Sequence, residues 1–166
     1  MEEKKGFEII SLIQNEHTNY IEKHDIFNKL ILGLLDKDEP WKDIKEFLEF
    51  FNNVILEHFE DEAEVIKLLA HNKGLSKEGT ETINKVLQEH DNLTKRIKQL
   101  NGIGKIYSPL LREVKEGFIA NAHELIDLIT KHAAMEDKEF FPLARQLLSK
   151  PELEQLKNAV ESKHSN

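Results

Sequence analysis

Cysteine is absent from this chain. Disulfides, thiolate catalysis, iron–sulfur clusters and cysteine-ligated zinc are therefore excluded, and the absence fits a reducing, cytoplasmic setting. Cationic residues are in deficit: 23 Lys and Arg against 31 Asp and Glu leave a net charge of −8. No basic stripe stands out, so nucleic acid is not an expected partner. Long apolar runs are also missing. The opening Met1-Glu-Glu-Lys-Lys leads into none, which argues against a signal peptide, a transmembrane helix and a membrane partner. Sustained alternation of apolar and polar residues is missing as well, and with it any expectation of strands.

What remains is apolar spacing at three and four residues almost throughout. A first helix is expected from Phe7 to Leu35, broken at Asp36–Glu39. Pro40 suits the first turn of a second helix, from Trp41 to about His71, with Asn72-Lys-Gly74 as its stop. A third helix is expected from Thr80 to Leu100, terminated by Asn101-Gly-Ile-Gly104. A fourth follows from an N-cap at Ser108 and Pro109 at the first position to about Phe140, where Pro142 kinks or ends it. Ser149-Lys-Pro-Glu152 reads as a capping box that opens a short final helix to about Lys163. Long helices joined by short loops predict an all-α, up-down-up-down four-helix bundle with a short C-terminal helix. The whole chain, 1–166, is expected to form one domain.

Eight histidines are many for this length. His58-Phe-Glu-Asp-Glu62 and His132-Ala-Ala-Met-Glu136 each set a histidine and a glutamate four residues apart, on one face of a helix. Both pairs share the apolar stripe of their helix: Phe51, Ile55, Val65, Ile66 and Leu69 around the first, Phe118, Leu125, Leu128, Ile129 and Phe140 around the second. A carboxylate on a core stripe is costly unless it is paired or binds a metal. The segments are also repeated. Lys23-His24-Asp25 through Ile31 aligns with Glu89-His90-Asp91 through Ile97, and each His-x-x-x-Glu segment continues to Leu-Ala, at Leu69-Ala70 and Leu143-Ala144. The ligand order is then His24, His58, Glu62 in one half and His90, His132, Glu136 in the other. Four imidazoles and two carboxylates suit two ions of iron, manganese or zinc rather than copper(I), with Glu62 and Glu136 as shared bridges.

This ordered set resembles the hemerythrin-like, or HHE cation-binding, domains, and the likeness runs from His24 to Phe140-Phe-Pro142. The resemblance implies a non-haem di-iron centre, two Fe ions bridged by oxide or hydroxide, inside a four-helix bundle. It implies binding or sensing of O2 or a related small ligand, with no protein partner identified. An alternative implied activity is enzymatic: turnover of nitric oxide or peroxide, or iron handling during iron–sulfur cluster repair. Two positions depart from the oxygen-carrying hemerythrins. Thr94 stands where those have a second histidine on the third helix, which argues against simple oxygen carriage. They also use a His-x-x-x-x-Asp pair on the fourth helix. Asp137 is five after His132, about 140° around a straight helix, against about 40° for Glu136. Glu136 is thus the expected ligand and Asp137 the rival, which a local π-bulge could swing inward.

Other residues are assigned more plainly. His17, seven before His24, is expected as a hydrogen-bonded core histidine, with an outer or proton-relay role as the alternative. Tyr20 suits either packing or donation to a bound ligand. Phe27, Phe59 and Phe140 are expected in the core, His123 on the surface, and His71 and His164 near helix ends, where a protonated ring favours the dipole. Gly102-Ile-Gly104-Lys105 lacks phosphate-loop spacing. The ferritin-like Glu-x-x-His pattern matches only at Glu161-x-x-His164, so that fold is rejected.

Overall fold

The computed structural model describes the backbone of residues 2–36, 41–106 and 112–164, and the side chains of 9–34, 43–106 and 112–164. Among these residues there is helix and no strand. Helix α1 spans Glu2–Asp36. Helix α2, Trp41–Glu49, passes through a π-helical stretch, Phe50–Ile55, into α3, Leu56–Ala70. Helix α4 spans Lys77–Lys105 and α5 Arg112–Met135. A second π-helical stretch, Glu136–Phe140, leads into α6, Phe141–Leu147, and α7 spans Lys150–His164. The chain is thus an all-α helical bundle, as its apolar periodicity predicts. The breaks and caps assigned to Lys37–Pro40, Ser108 and Pro109 lie outside the described residues.

The observed boundaries have local causes. Ser76 caps α4: its Oγ accepts from the Gly79 N–H at 3.0 Å and its carbonyl from the Thr80 N–H at 3.0 Å. The helix therefore begins at Lys77, three residues before Thr80. It also runs past the expected stop at Asn101–Gly104. Glycine ends a helix only when it turns left-handed, and among the described residues none has positive φ. At Gly104 the missing Cβ makes room for Leu48, whose Cδ1 would lie 2.5 Å from it. Pro142 does not end the fourth helix: it falls in the first turn of α6, directly after the π-helical stretch, and the chain stays helical to Leu147. The capping box of α7 is present, with Ser149 N–H donating to Glu152 Oε1 at 3.1 Å and Glu152 N–H to Ser149 Oγ at 3.4 Å.

By backbone contacts the chain resolves into two compact units. One comprises Met1–His17, Glu57–Glu89 and His132–Asn166, the other Thr18–Leu56 and His90–Lys131. The first has a core of Ile9, Ile10, Ile13, Val65, Leu69, Val86, Phe140, Phe141, Leu156 and their neighbours. The second is aromatic. Phe47 packs edge-on against Phe27, with ring centroids 4.4 Å apart, and against Phe51 at 4.7 Å. Burial of such rings contributes about 2 kcal/mol each.

Candidate metal centre

The first unit gathers five polar side chains in its interior. His17 and His58 are 3% and 1% exposed, His132 is 3% exposed, and Glu62 and Glu136 are fully buried. Helical spacing places them. His58 and Glu62 are one turn apart on α3, with Nε2 3.3 Å from Oε1. His132, in the last turn of α5, lies 3.1 Å from Oε1 of Glu136, the first residue of the π-helical stretch. From α1, His17 Nε2 reaches Glu136 Oε1 at 3.3 Å, Glu62 Oε2 at 3.9 Å and His58 Nε2 at 3.0 Å.

The outer nitrogens explain how the rings are held. Nδ1–H of His17 donates to Asp137 Oδ1 at 2.9 Å, Nδ1–H of His58 to Glu16 Oε2 at 2.7 Å, and Nδ1–H of His132 to Glu89 Oε1 at 3.3 Å. An ionised carboxylate only accepts, so each Nδ1 carries a proton; each Nε2 faces Glu62 or Glu136 and can offer a lone pair only to a cation that lies between them. The Nε2 atoms converge on Glu62 and Glu136. Carboxylate–imidazole pairs of this kind orient metal-ligating histidines and raise their basicity.

The electrostatics fit a cation. Two ionised carboxylates in a dry interior cost several kcal/mol each unless compensated. Two ring nitrogens 3.0 Å apart also cannot both present lone pairs to each other without a cation or a proton between them. Without a metal the compensation falls to protons. Burial disfavours the charged form of His58, but the charges of Glu62 and Glu16 and their hydrogen bonds overcome it and push its pKa up to about 10. In His17 burial again opposes protonation, and the hydrogen bond to Glu136 with the Glu62 and Glu136 charges holds the pKa above its usual value.

The donor atoms of His17, His58, Glu62 and Glu136 lie within 4.8 Å of one another, and so do those of Glu62, His132 and Glu136. The two glutamates belong to both sets, which is the arrangement a pair of bridging carboxylates requires. His17, expected as a core histidine, is therefore a member of the cluster. His24 is in neither four-residue set found among the described residues. It belongs to the second unit, where it is 3% exposed, donates from Nδ1 to Thr130 Oγ1 at 3.1 Å and stacks on Phe51. Thr130 passes its own proton to the Ile126 carbonyl, so His24 Nδ1 is the donor and Nε2 carries the lone pair, buried without a hydrogen-bond partner. Burial pushes the His24 pKa down to about 4. His90, 9% exposed, opens the second unit's share of α4. Asp137 lies on the exposed side and serves His17, while Glu136 is buried.

A sequence signal for His17 exists. Glu16-His17 and Glu89-His90 are identical dipeptides. Glu16 precedes its partner His58 by 42 residues and Glu89 precedes His132 by 43. The register built on His24 and His90 concealed this match. Of the remaining assignments, Phe59 sets its edge against the His132 ring, and Tyr20 packs buried against Phe50. His123 is half-buried rather than exposed, held by Asn28 at 3.0 Å. Thr94 donates to the His90 carbonyl at 2.7 Å.

Buried imidazoles and carboxylates, oriented by outer carboxylates within a bundle of helices, define a metal-binding helical protein. The hemerythrin HHE cation-binding domain matches residues 9–144, and the chain belongs to that family. No curated protein and no solved structure matches it. Among the described residues, no helix is long and apolar enough to cross a membrane.

Proposed function

We propose that the protein is a non-haem di-iron protein that binds or senses O2, or a related small ligand, at a carboxylate-bridged centre. Its protein ligands are His17, His58 and His132 with Glu62 and Glu136, and His90 is kept from the sequence assignment. His24 is left outside the set. The observation that carries the reading is the sharing of two fully buried glutamates between two groups of imidazoles. A pair of iron ions supplies redox chemistry and an exchangeable position. The chain's part is to hold the ring tautomers through Asp137, Glu16 and Glu89 and to exclude water with Phe59, Phe140 and Phe141. Iron-loaded protein should change its near-ultraviolet and visible absorption when moved from anaerobic to aerated buffer. An unchanged spectrum at full loading rejects O2 as the ligand.

Thr94 favours a second reading. Its hydroxyl is spent on the His90 carbonyl, so this position supplies no histidine donor and more of the coordination is open to exchange. Reductive turnover of nitric oxide or peroxide, or iron handling in cluster repair, suits such a centre. Turnover assays with an electron donor, and reactivation of a damaged cluster, distinguish these activities from ligand binding alone.

A further inference from the structure

The turn of α3 that carries His58 and Glu62 has a second pair at the same spacing on its other side. Glu57 and Asp61 each stand one residue before a candidate ligand. Asp61 is 1% exposed although it is a carboxylate, while Glu57 is on the surface. One residue takes both. His164, at the end of α7, places Nδ1 2.7 Å from Glu57 Oε1 and Nε2 2.9 Å from Asp61 Oδ2. A ring that meets an acceptor-only carboxylate on each nitrogen carries both protons, so it is an imidazolium. Its neighbour Lys163 donates to the Glu60 carbonyl at 3.2 Å and pairs with Glu64 at 3.0 Å. Two successive residues of α7 therefore grip residues 57–64 from outside.

We propose that His164 is a positioning residue for the metal centre: clamped between Glu57 and Asp61, it fixes the α3 turn whose inner side carries His58 and Glu62. The proposal rests on the metal-binding reading of those two residues. The clamp is charged and therefore depends on pH. The groups facing the ring are Glu57 and Asp61 from α3 and Glu16 from α1, with Lys163 beside it on α7. The hydrogen bond to Asp61 raises the affinity of His164 for its proton; its partial burial opposes this, and the charges of Asp61, Glu57 and Glu16 add to the rise. The clamp is closed below the ordinary histidine range and opens as pH rises through the raised value.

The test uses the full chain, wild type and His164→Ala, with two readouts. In metal-free protein, amide protection across residues 57–64 should be lower in the variant at pH 6, and the difference should narrow as pH rises and the ring loses its charge. In protein loaded anaerobically with ferrous iron, release to a chelator should be about threefold faster in the variant at pH 6, the size expected of a half-exposed ion pair. That ratio should fall toward one as pH rises. His164→Gln, which keeps a donor but not the charge, should release iron faster than wild type at pH 6, by a margin that closes as pH rises. Equal protection in wild type and His164→Ala at pH 6 would overturn the clamp. Lower protection with equal release rates would overturn the positioning role while leaving the clamp. A wild-type chain that takes up no iron would overturn the metal reading and the positioning role together, and protection would still decide the clamp.

Discussion

The Nε2 atoms of His17 and His58 lie 3.0 Å apart, and each ring is turned so that its Nδ1 meets a carboxylate, Asp137 for one and Glu16 for the other. Two rings braced in this way converge their Nε2 atoms beside Glu62 and Glu136. On the reading proposed above, the first-half ligand is His17 rather than His24, where the sequence repeat puts it. His17→Ala should lower iron bound per chain by roughly half, since one ion loses a nitrogen ligand and its outer support. His24→Ala should leave iron content near wild type. Elemental analysis of the two purified variants decides between them; equal loss in both would return His24 to the ligand set.

The metal-free protein should respond to pH through His58. Its folded pKa, raised to about 10, exceeds the unfolded value of about 6.5. For a raised histidine, the stabilisation is fully present below the unfolded value and is lost as pH rises through the folded one. Metal-free protein should therefore melt at progressively lower temperature between about pH 6.5 and pH 10. Bound metal needs the neutral ring and displaces this proton, so loading should remove the slope. Melting curves of both forms across that range check the sign. A metal-free melting temperature that climbs through the window would show that His58 is not held protonated by Glu62 and Glu16.

The helices, both His-x-x-x-Glu pairs and the capping box at Ser149 were legible because each is local: periods of three and four and short end signals lie within one stretch of chain. His17 was not, for a physical reason. A buried imidazole and a ligand imidazole share the same stripe, and only its contacts with α3 and with the π-helical stretch separate the two roles. The outer carboxylates Glu16, Asp137 and Glu89 were hidden for a related reason, since acidic residues beside an apolar stripe look like solvated surface until a ring from another helix meets them. The repeated Glu-His dipeptide was readable and was overshadowed by the longer match around His24. Gly102 and Gly104 misled because glycine near a helix end usually marks a stop, whereas this backbone stays right-handed and the helix continues.

Those two glycines should differ under substitution. A Cβ at Gly102 meets nothing within 4 Å, and the residue sits inside α4. Gly102→Ala should therefore stabilise by about 0.5–1 kcal/mol, the helix-propensity difference. That raises the melting temperature by a few degrees in a chain of this size. A Cβ at Gly104 falls 2.5 Å from Leu48 Cδ1. Leu48 has to move, so the gain is reduced or reversed. Parallel thermal melts give the comparison, and an equal rise in both would mean that Leu48 yields freely.

Glu136 and Asp137 should separate as ligand and support. The π-helical stretch begins at Glu136, which is fully buried between His17 and His132, while Asp137 lies on the exposed side and reaches only the outer nitrogen of His17. Glu136→Gln removes the charge from the interior and, on the di-iron reading proposed above, a bridging oxygen pair with it, and it should abolish tight metal binding. Asp137→Asn leaves every inner donor in place but weakens the hold on the His17 tautomer. The loss expected from such an outer partner is about tenfold in metal affinity, with the number of ions bound at saturation unchanged. Competition with a chelator of known affinity measures both. If Asp137→Asn instead lowered the number of ions bound as Glu136→Gln does, the aspartate would be a direct ligand, swung inward by the same π-helical turn that presents Glu136.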